Sequence, residues 1–304
     1  MAHVAFDLDN TLGFFEFTNP LAYFWSQEFL ENPEQSRPNA ELTISKALKA
    51  KLKRAQSNFV TLFLQNPHLH HLVLRPNLHA MILPLLKAKR NRKLKTVILY
   101  SNTSVTNSLE LAKEIIERMY NAPGLFALSA DHWHPLRTAD HPKGGIQPYK
   151  YVEPKKTITT LQRLFRVAAK HPKNKVIPLK HIAFVDDRNP KHELQEQEAG
   201  GLTYIVPTSY YPHANKQEKK ELLLLAAAAM DQVGLLKDPE YLNSGFCHRK
   251  IPYHFTKLHE IHGFPDLFHY VWGQIQQVRV PKEPWYPDTM TIQGTMTEFL
   301  KQIE

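Results

Sequence analysis

The segment "VAFDLDNTLG", residues 4–13, places two aspartates, Asp7 and Asp9, at the end of an apolar run near the start of the chain. The apolar run has the composition of a buried strand. Two carboxylates this close repel each other and are costly to remove from water unless a positive group joins them. The segment therefore predicts a strand that delivers acidic side chains to a site holding a cation.

Five short runs, including this one, are apolar or β-branched and are bounded by polar residues, Gly or Pro. They predict strands at 3–7, 96–101, 125–129, 181–186 and 202–206. Helical spacing of apolar residues predicts helices between them, at 77–88, 107–120 and 156–169. Strands that alternate with helices indicate an α/β protein with a doubly wound, mainly parallel five-stranded sheet.

A long insertion interrupts this alternation after the first strand, and a long segment follows the last strand. Within the insertion, residues 41–66 carry an apolar stripe with lysines mostly off it, which predicts an amphipathic helix. A further helix is predicted at 216–236, before a tail rich in Pro, His and aromatic residues. We expect a core of residues 1–12 and 72–207, a helical, cap-like insertion at 13–71, and a helical or irregular C-terminal extension at 208–304.

The composition is that of a globular protein, with 42% hydrophobic and 22% charged residues. Cys247 is the single cysteine, so no intrachain disulfide can form and a reducing compartment is expected. The most apolar stretch, "LLLLAAAAM" at 222–230, is too short to span a bilayer. We expect a soluble intracellular protein, cytoplasmic or nuclear, without membrane insertion.

Polar and acidic residues follow three of the predicted strands. Besides the aspartates of the first strand, Ser101 and Asn102 end the second strand, and Asp186 and Asp187 end the fourth. Ligands of an open parallel sheet bind beyond the carboxyl ends of its strands. One such acid alone could simply cap a helix. The combination favours a site of oxygen ligands for a hard divalent cation, and room for water and a phosphate favours Mg²⁺.

Three segments resemble motifs I, II and IV of the haloacid dehalogenase (HAD) superfamily of phosphohydrolases: "FDLDNTL", "VILYSN" and "HIAFVDDRNP". The nearest branch is the NLI-interacting-factor type, which includes phosphatases of the RNA polymerase C-terminal domain. The Arg-Pro pair at 75–76 has the form found in that branch. The resemblance covers roughly residues 3–12 and 72–207. Asn10 stands where the family usually has an acid, and Asp187 stands where the branch has Asn.

The resemblance implies roles for the acids. Asp7 is the nucleophile that forms an aspartyl-phosphate, and Asp9 is the general acid and base. Thr11 braces the loop through its hydroxyl. The Mg²⁺ ligands are Asp7, the backbone carbonyl of Asp9, Asp186, and Asp187 directly or through water.

The resemblance also implies a phosphate-binding set. Ser101 donates a hydrogen bond to the phosphoryl group, helped by Asn102, with Thr11 nearby in the loop. A lysine must offset the charge of the phosphoryl oxygens. Lys156 is the preferred candidate because it stands at the head of a predicted helix that Thr157 can cap, and Lys155 is the alternative.

These features predict a Mg²⁺-dependent phosphomonoester hydrolase. The branch resemblance implies a phosphorylated protein substrate, cleaved at phosphoserine or phosphothreonine. The formal net charge of +9 favours, as an alternative, a phosphatase of nucleotides or nucleic-acid ends. A third interpretation is a non-catalytic HAD-fold scaffold in a larger assembly, although every catalytic position of the family is filled.

Four other segments leave alternatives open. The basic runs 87–95 and 170–180 each precede a strand, so we expect both at the edge opposite the acids. They could dock an anionic partner, such as nucleic acid or an acidic protein surface, or be solvated loops. The aromatic segment 14–29 could line a substrate pocket or form the core of the insertion. The Cys/His-rich segment 247–262 could assemble a structural metal site, although its spacing matches no established zinc-binding pattern.

Overall fold

The computed structural model describes residues 1–25, 44–101, 106–130, 156–172, 176–188, 201–242, 266–280 and 289–302. Five strands form one sheet in which every neighbouring pair is parallel. They are β1 (Ala2–Phe6), β2 (Leu94–Tyr100), β3 (Phe126–Ala130), β4 (Ile182–Val185) and β5 (Thr203–Ile205), in the spatial order β3-β2-β1-β4-β5. The predicted α/β class and parallel five-stranded sheet are confirmed.

Helices account for most of the remaining described residues. They are α1 (Lys46–Leu64), α2 (His70–Val73), α3 (His79–Arg90), α4 (Thr106–Met119), α5 (Ile158–Ala168), α6 (Lys216–Asp231), α7 (Pro239–Leu242), α8 (Asp266–Gln277) and α9 (Thr289–Gln302). The helices predicted between the strands are confirmed as α3, α4 and α5. The tail, whose organisation the sequence did not show, contains α7 to α9.

Strand β1 lies at the centre of the sheet and is buried along its whole length. It pairs with β2 on one side and with β4 on the other, so that Phe6 lies opposite both Leu99 and Val185. From β1 the chain adds β2 and β3 on one side of the sheet, and it then crosses to the other side of β1 to form β4 and β5. The strand order therefore reverses beside β1, and the crevice at the carboxyl ends of β1 and β4 is where ligands of such sheets bind.

The start of α5 is fixed by a helix cap. Thr157 has an extended backbone, and its hydroxyl accepts a hydrogen bond from the Thr160 backbone N–H at 3.1 Å. Leu161, Leu164 and Phe165 bury the inner face of the helix in a cluster that includes β1, β2 and β4. The predicted cap is confirmed. It fixes the position of the backbone at Lys156, the residue directly before the cap.

The chain divides into two compact units. The sheet unit comprises Met1–Phe15, Leu74–Pro212 and Lys282–Glu304, and the helical unit comprises Glu16–Val73 and His213–Pro281. This differs from the expected division, in which 13–71 and 208–304 were separate additions. In the helical unit α1 packs against α6, and in the sheet unit α9 packs against α3 and β5. In both cases helices that are far apart in sequence bury their apolar faces against each other. The sequence pattern of an amphipathic helix does not indicate which other helix it packs against.

The aromatic segment 14–29 is described as far as residue 25, and its last residues lie outside the described ranges. Phe24 and Trp25 are buried within the helical unit, against Phe268 and Phe59 respectively. This packing favours the interpretation that the segment contributes to a hydrophobic core. The segment 247–262 lies outside the described residues. Across the described ranges, no helix is long and apolar enough to cross a membrane.

His3 is a buried titratable group at the start of the sheet. Its ring packs 5.2 Å from the ring of Phe165, and its Nδ1 is in hydrogen-bond contact with the hydroxyl of Thr96. Burial, reinforced by neighbouring positive groups, lowers the pKa of His3 to about 4. The folded protein therefore holds this imidazole neutral at pH values where an unfolded chain would protonate it.

We expect His3 to make the fold sensitive to acid. Below about pH 6.5 the unfolded chain binds a proton at this histidine, whereas the folded chain binds it only near pH 4. The free energy of unfolding therefore decreases as the pH falls. Between about pH 7.5 and about pH 5 the contribution is a loss of about 2 kcal/mol. Denaturant unfolding of the wild type and of His3→Asn measures it. Equal losses in the two proteins would contradict a neutral buried His3.

Candidate functional site

Adjacent strands carry the acids of the site to the carboxyl edge of the sheet. The Asp7 backbone N–H donates to the Val185 carbonyl at 2.9 Å, and the Asp186 N–H donates to the Ile205 carbonyl at 3.1 Å. These bonds continue the parallel ladder by one residue beyond each strand. As a result, carboxylate oxygens of Asp7, Asp186 and Asp187 lie within 4.8 Å of one another. The predicted convergence of these three acids is confirmed.

Lys156 joins the acids from the other side. Its Nζ donates to Oδ1 of Asp7 at 2.6 Å and to Oδ2 of Asp186 at 2.7 Å. The Lys156 side chain is only 2% exposed and that of Asp186 is fully buried. The structure thus places the preferred candidate, Lys156, at the acids, whereas Lys155 lies outside the described residues.

The charges of this cluster do not balance. Three carboxylates and one ammonium have a formal charge of −2. Burial raises the pKa of Asp7 to about 6 although Lys156 lowers it, and burial also raises the pKa of Asp187. Burial alone would lower the pKa of Lys156, but Asp7 and Asp186 raise it above its ordinary value. Excess negative charge in a place shielded from water is the setting in which a divalent cation binds.

Asp187 is held by two hydroxyl groups. Thr11 Oγ1 accepts from the Asp187 backbone N–H at 2.9 Å and donates to its Oδ1 at 3.2 Å. Ser209 Oγ donates to its Oδ2 at 2.6 Å. The bracing expected of Thr11 is therefore directed at Asp187. The analysis of the sequence missed Ser209, which lies in the segment after the last strand and belongs to no motif.

Arg75 connects the two loops that carry these hydroxyls. It is 1% exposed, and its guanidinium donates to the Thr11 carbonyl at 2.8 Å and to the Thr208 carbonyl at 2.9 Å. Its Nε donates to Oδ1 of Asn77 at 2.9 Å. The sequence indicated this arginine only as part of a resemblance. In the structure it fixes the loop after β1 relative to the segment after β5.

Asp9 lies on the loop after β1, next to a tight turn. Its Oδ1 accepts from the Phe15 backbone N–H at 3.0 Å, and Asn10 has a φ of +62°, which Asn tolerates better than most residues. Within the described parts of the chain, the Asp9 carboxylate is not one of the three that cluster. That its backbone carbonyl binds a cation stays a prediction.

Ser101 follows β2 at the same edge of the sheet. It lies two residues beyond Leu99, the partner of Phe6, and its backbone N–H donates to the Ala130 carbonyl at 3.1 Å. The residue is 3% exposed. Its predicted bond to a phosphoryl group stays a prediction, and Asn102 lies outside the described residues.

Comparisons of this chain with protein-family models, with curated proteins and with solved structures found no match. The chemistry of the site therefore has to be argued from its own geometry. That geometry comprises three hard oxygen donors, a buried ammonium bonded to two of them, and an unbalanced charge of the sign that attracts a cation.

We expect Lys156 to be essential for the stability of the site. In Lys156→Met the carboxylates of Asp7 and Asp186 lose their buried counter-charge, which costs about 3 to 5 kcal/mol of unfolding free energy. Chemical denaturation measures the loss. The exposed Lys170→Met is the matched control and should cost less than about 0.5 kcal/mol.

The double variant Lys156→Met/Asp186→Asn completes a thermodynamic cycle. Because it removes a negative charge together with the ammonium, it should be more stable than Lys156→Met alone. Strictly additive losses would show that Lys156 and Asp186 do not interact.

Proposed function

We propose that this chain is a Mg²⁺-dependent phosphomonoester hydrolase of the HAD type that works through an aspartyl-phosphate on Asp7. One observation carries the proposal. Lys156 bonds both Asp7 and Asp186, with Asp187 within 4.8 Å, at the carboxyl edge of a parallel sheet and beside its reversal of strand order. Asp7, Asp186 and Asp187 lie in two of the three segments that resemble the family, and Lys156 is the lysine that the resemblance calls for.

The donor set fits a hard divalent cation. Asp7, Asp186 and Asp187 would hold Mg²⁺, with the backbone carbonyl of Asp9 as a further ligand. When bound, the ion would supply positive charge to the phosphoryl oxygens and to the carboxylates around it.

Asp7 would begin the reaction. Lys156 fixes Oδ1 of Asp7, which leaves Oδ2 to attack phosphorus in line with the leaving oxygen. A bond forms between Oδ2 and phosphorus as the ester P–O bond breaks. Asp9 gives a proton to the departing oxygen, and the Phe15 backbone N–H holds the Asp9 side chain on the loop beside Asp7.

Water would complete the reaction. Asp9, now deprotonated, takes a proton from a water molecule that attacks phosphorus, and the bond between phosphorus and Asp7 breaks to release inorganic phosphate. Lys156 would stabilise the charge on the transferring group, with Ser101 and Asn102 as hydrogen-bond donors. Thr11 and Ser209 keep Asp187 in place throughout.

For the substrate, we propose a phosphoserine or phosphothreonine of a protein, on the basis of the branch resemblance. The net charge of +9 favours the alternative, a nucleotide or a phosphorylated nucleic-acid end. A scaffold without activity is disfavoured because Asp7, Asp9, Lys156 and Asp186 are all present. Phosphopeptides, nucleotides and 3′- and 5′-phosphorylated oligonucleotides, each offered to wild type and to an inactive variant, would separate these classes.

The proposal is tested by phosphate release from an aryl phosphate. The wild type should turn over with Mg²⁺ and lose the activity in EDTA, and Asp7→Asn should lower the rate at least about 1,000-fold because its nucleophile is gone. Asp231→Asn, at the exposed end of α6, is the matched control and should keep full activity. Absence of EDTA-sensitive turnover on every substrate class would favour the scaffold.

Binding of the cation can be measured apart from catalysis. Mg²⁺ at about 100 times its Kd should stabilise the wild type by about 2.7 kcal/mol, seen as a rise in Tm. Asp186→Asn should lose most of this rise because it removes a fully buried cluster oxygen. The Asp231→Asn control should keep it. An identical rise in all three proteins would place the cation elsewhere.

A further inference from the structure

The two basic runs meet at the amino edge of the sheet, opposite the acids. We use "amino edge" for the described residues of 87–95 and 166–181. Leu94 begins β2 and Ile182 begins β4, and both strands flank β1. The Ala2 backbone N–H donates to the Lys93 carbonyl at 2.7 Å, and His3 lies opposite Ile182. The starts of β2 and β4 are therefore about 10 Å apart, two strand spacings.

The two segments that form the amino edge carry positive charges only. No Asp or Glu occurs anywhere in residues 76–109 or 154–185, the two segments that contain the runs. The exposed cations of the described part of this edge are Lys87, Lys89, Arg90, Arg92, Lys95, Lys170 and Lys180. The Glu117 carboxylate lies beside this edge, where it accepts a hydrogen bond from the Phe126 backbone N–H at the start of β3 at 2.9 Å. The edge therefore has a strong excess of positive charge, with an acid at its β3 side.

The buried His3 lies near groups of both basic runs. Burial is the main cause of the lowered pKa of His3, and His171, the N-terminal ammonium, His181 and Lys95 lower it further. Groups of both runs therefore lie near the start of β1, in agreement with the strand pairing.

A cavity of about 560 Å³ opens at the same edge, between the ends of α3 and α4. Its lining includes Lys89, Arg90 and the half-buried Tyr120. An aromatic ring beside cations is the arrangement that proteins use to hold single-stranded nucleic acid, where bases stack and phosphates pair with Lys or Arg.

We propose that the amino edge binds the phosphate backbone of nucleic acid, without sequence preference. A polyphosphate chain needs a continuous field of Lys and Arg, and the edge supplies one. A protein partner would instead require a less charged centre with aromatic side chains. The large hydrophobic side chains exposed in the described ranges near this edge are Met1, Val167 and Val176, and none of them is aromatic.

The inference stands independently of the proposed function. The amino edge lies at the opposite ends of the strands from Asp7 and Asp186, so binding there would leave the acidic site accessible. If the proposed phosphatase activity holds, a chain held in this way would act on phosphate groups presented near the polymer.

The test compares two variants that each lose four positive charges. The edge variant is Lys87→Gln/Arg90→Gln/Lys95→Gln/Lys180→Gln. The control is Lys46→Gln/Lys53→Gln/Arg54→Gln/Lys237→Gln, whose side chains are also exposed but lie in the helical unit. Fluorescence anisotropy with a labelled single-stranded DNA of about 20 nucleotides, longer than the sites of roughly 4 to 16 nucleotides that such proteins cover, is measured from low to moderate KCl.

The edge variant should bind at least about 10-fold more weakly than wild type, and the control within about threefold. Loss of four phosphate contacts should reduce the slope of log Kobs against log salt by about 3. Both variants should retain the wild-type Tm and, if the chain hydrolyses an aryl phosphate, the wild-type rate. A chain that binds DNA as described but releases no phosphate would overturn the proposed function alone.

Three results would overturn the inference. One is wild type that does not bind the oligonucleotide at low salt, and another is equal weakening in the two variants. The third is displacement of the DNA by polyglutamate as effectively as by unlabelled oligonucleotide at equal charge, which would identify an acidic polypeptide as the partner.

Discussion

The ammonium of Lys156 lies between the carboxylates of Asp7 and Asp186, and the candidate site depends on this buried arrangement. Two carboxylates side by side at the end of a buried sheet would be unfavourable without a counter-charge, because their repulsion is poorly screened there. One lysine compensates only part of the charge of three acids. The same arrangement that allows the fold to form therefore leaves a deficit of positive charge, which a divalent cation can fill.

The sheet determines where this arrangement can occur. Because β1 pairs in parallel with β4, the residue after each strand arrives at the same level, and Asp7 and Asp186 become neighbours although 178 intervening residues separate them. The N-terminal cap of α5 then fixes the backbone position of Lys156. Arg75 links the loop after β1 to the segment after β5, and thereby positions the hydroxyls that hold Asp187. A site of few residues rests on backbone geometry from five separate segments.

The two edges of the sheet have opposite electrostatic character. Acids follow the carboxyl ends of β1 and β4, whereas Lys and Arg precede β2 and β4. A parallel sheet makes such separation natural, since all strand ends of one kind lie on one side. The net charge of +9 is therefore an incomplete description of the molecule. Its distribution permits an acidic edge for chemistry and a basic edge for an anionic partner within one domain.

The preference for Lys156 over Lys155 rested on the family resemblance and on the predicted cap at Thr157. The five strands, the helices between them and the meeting of Asp7 with Asp186 and Asp187 could be predicted without the resemblance. These follow from local patterns combined with one rule of parallel sheets, that strands deliver their following residues to a common edge. Three features are visible only in the folded structure: Ser209 and Arg75 hold the site, α1 packs on α6, and α9 packs on the sheet unit. Those contacts join segments far apart in the chain through single hydrogen bonds or apolar faces, and such partners leave no periodic or local trace in a sequence.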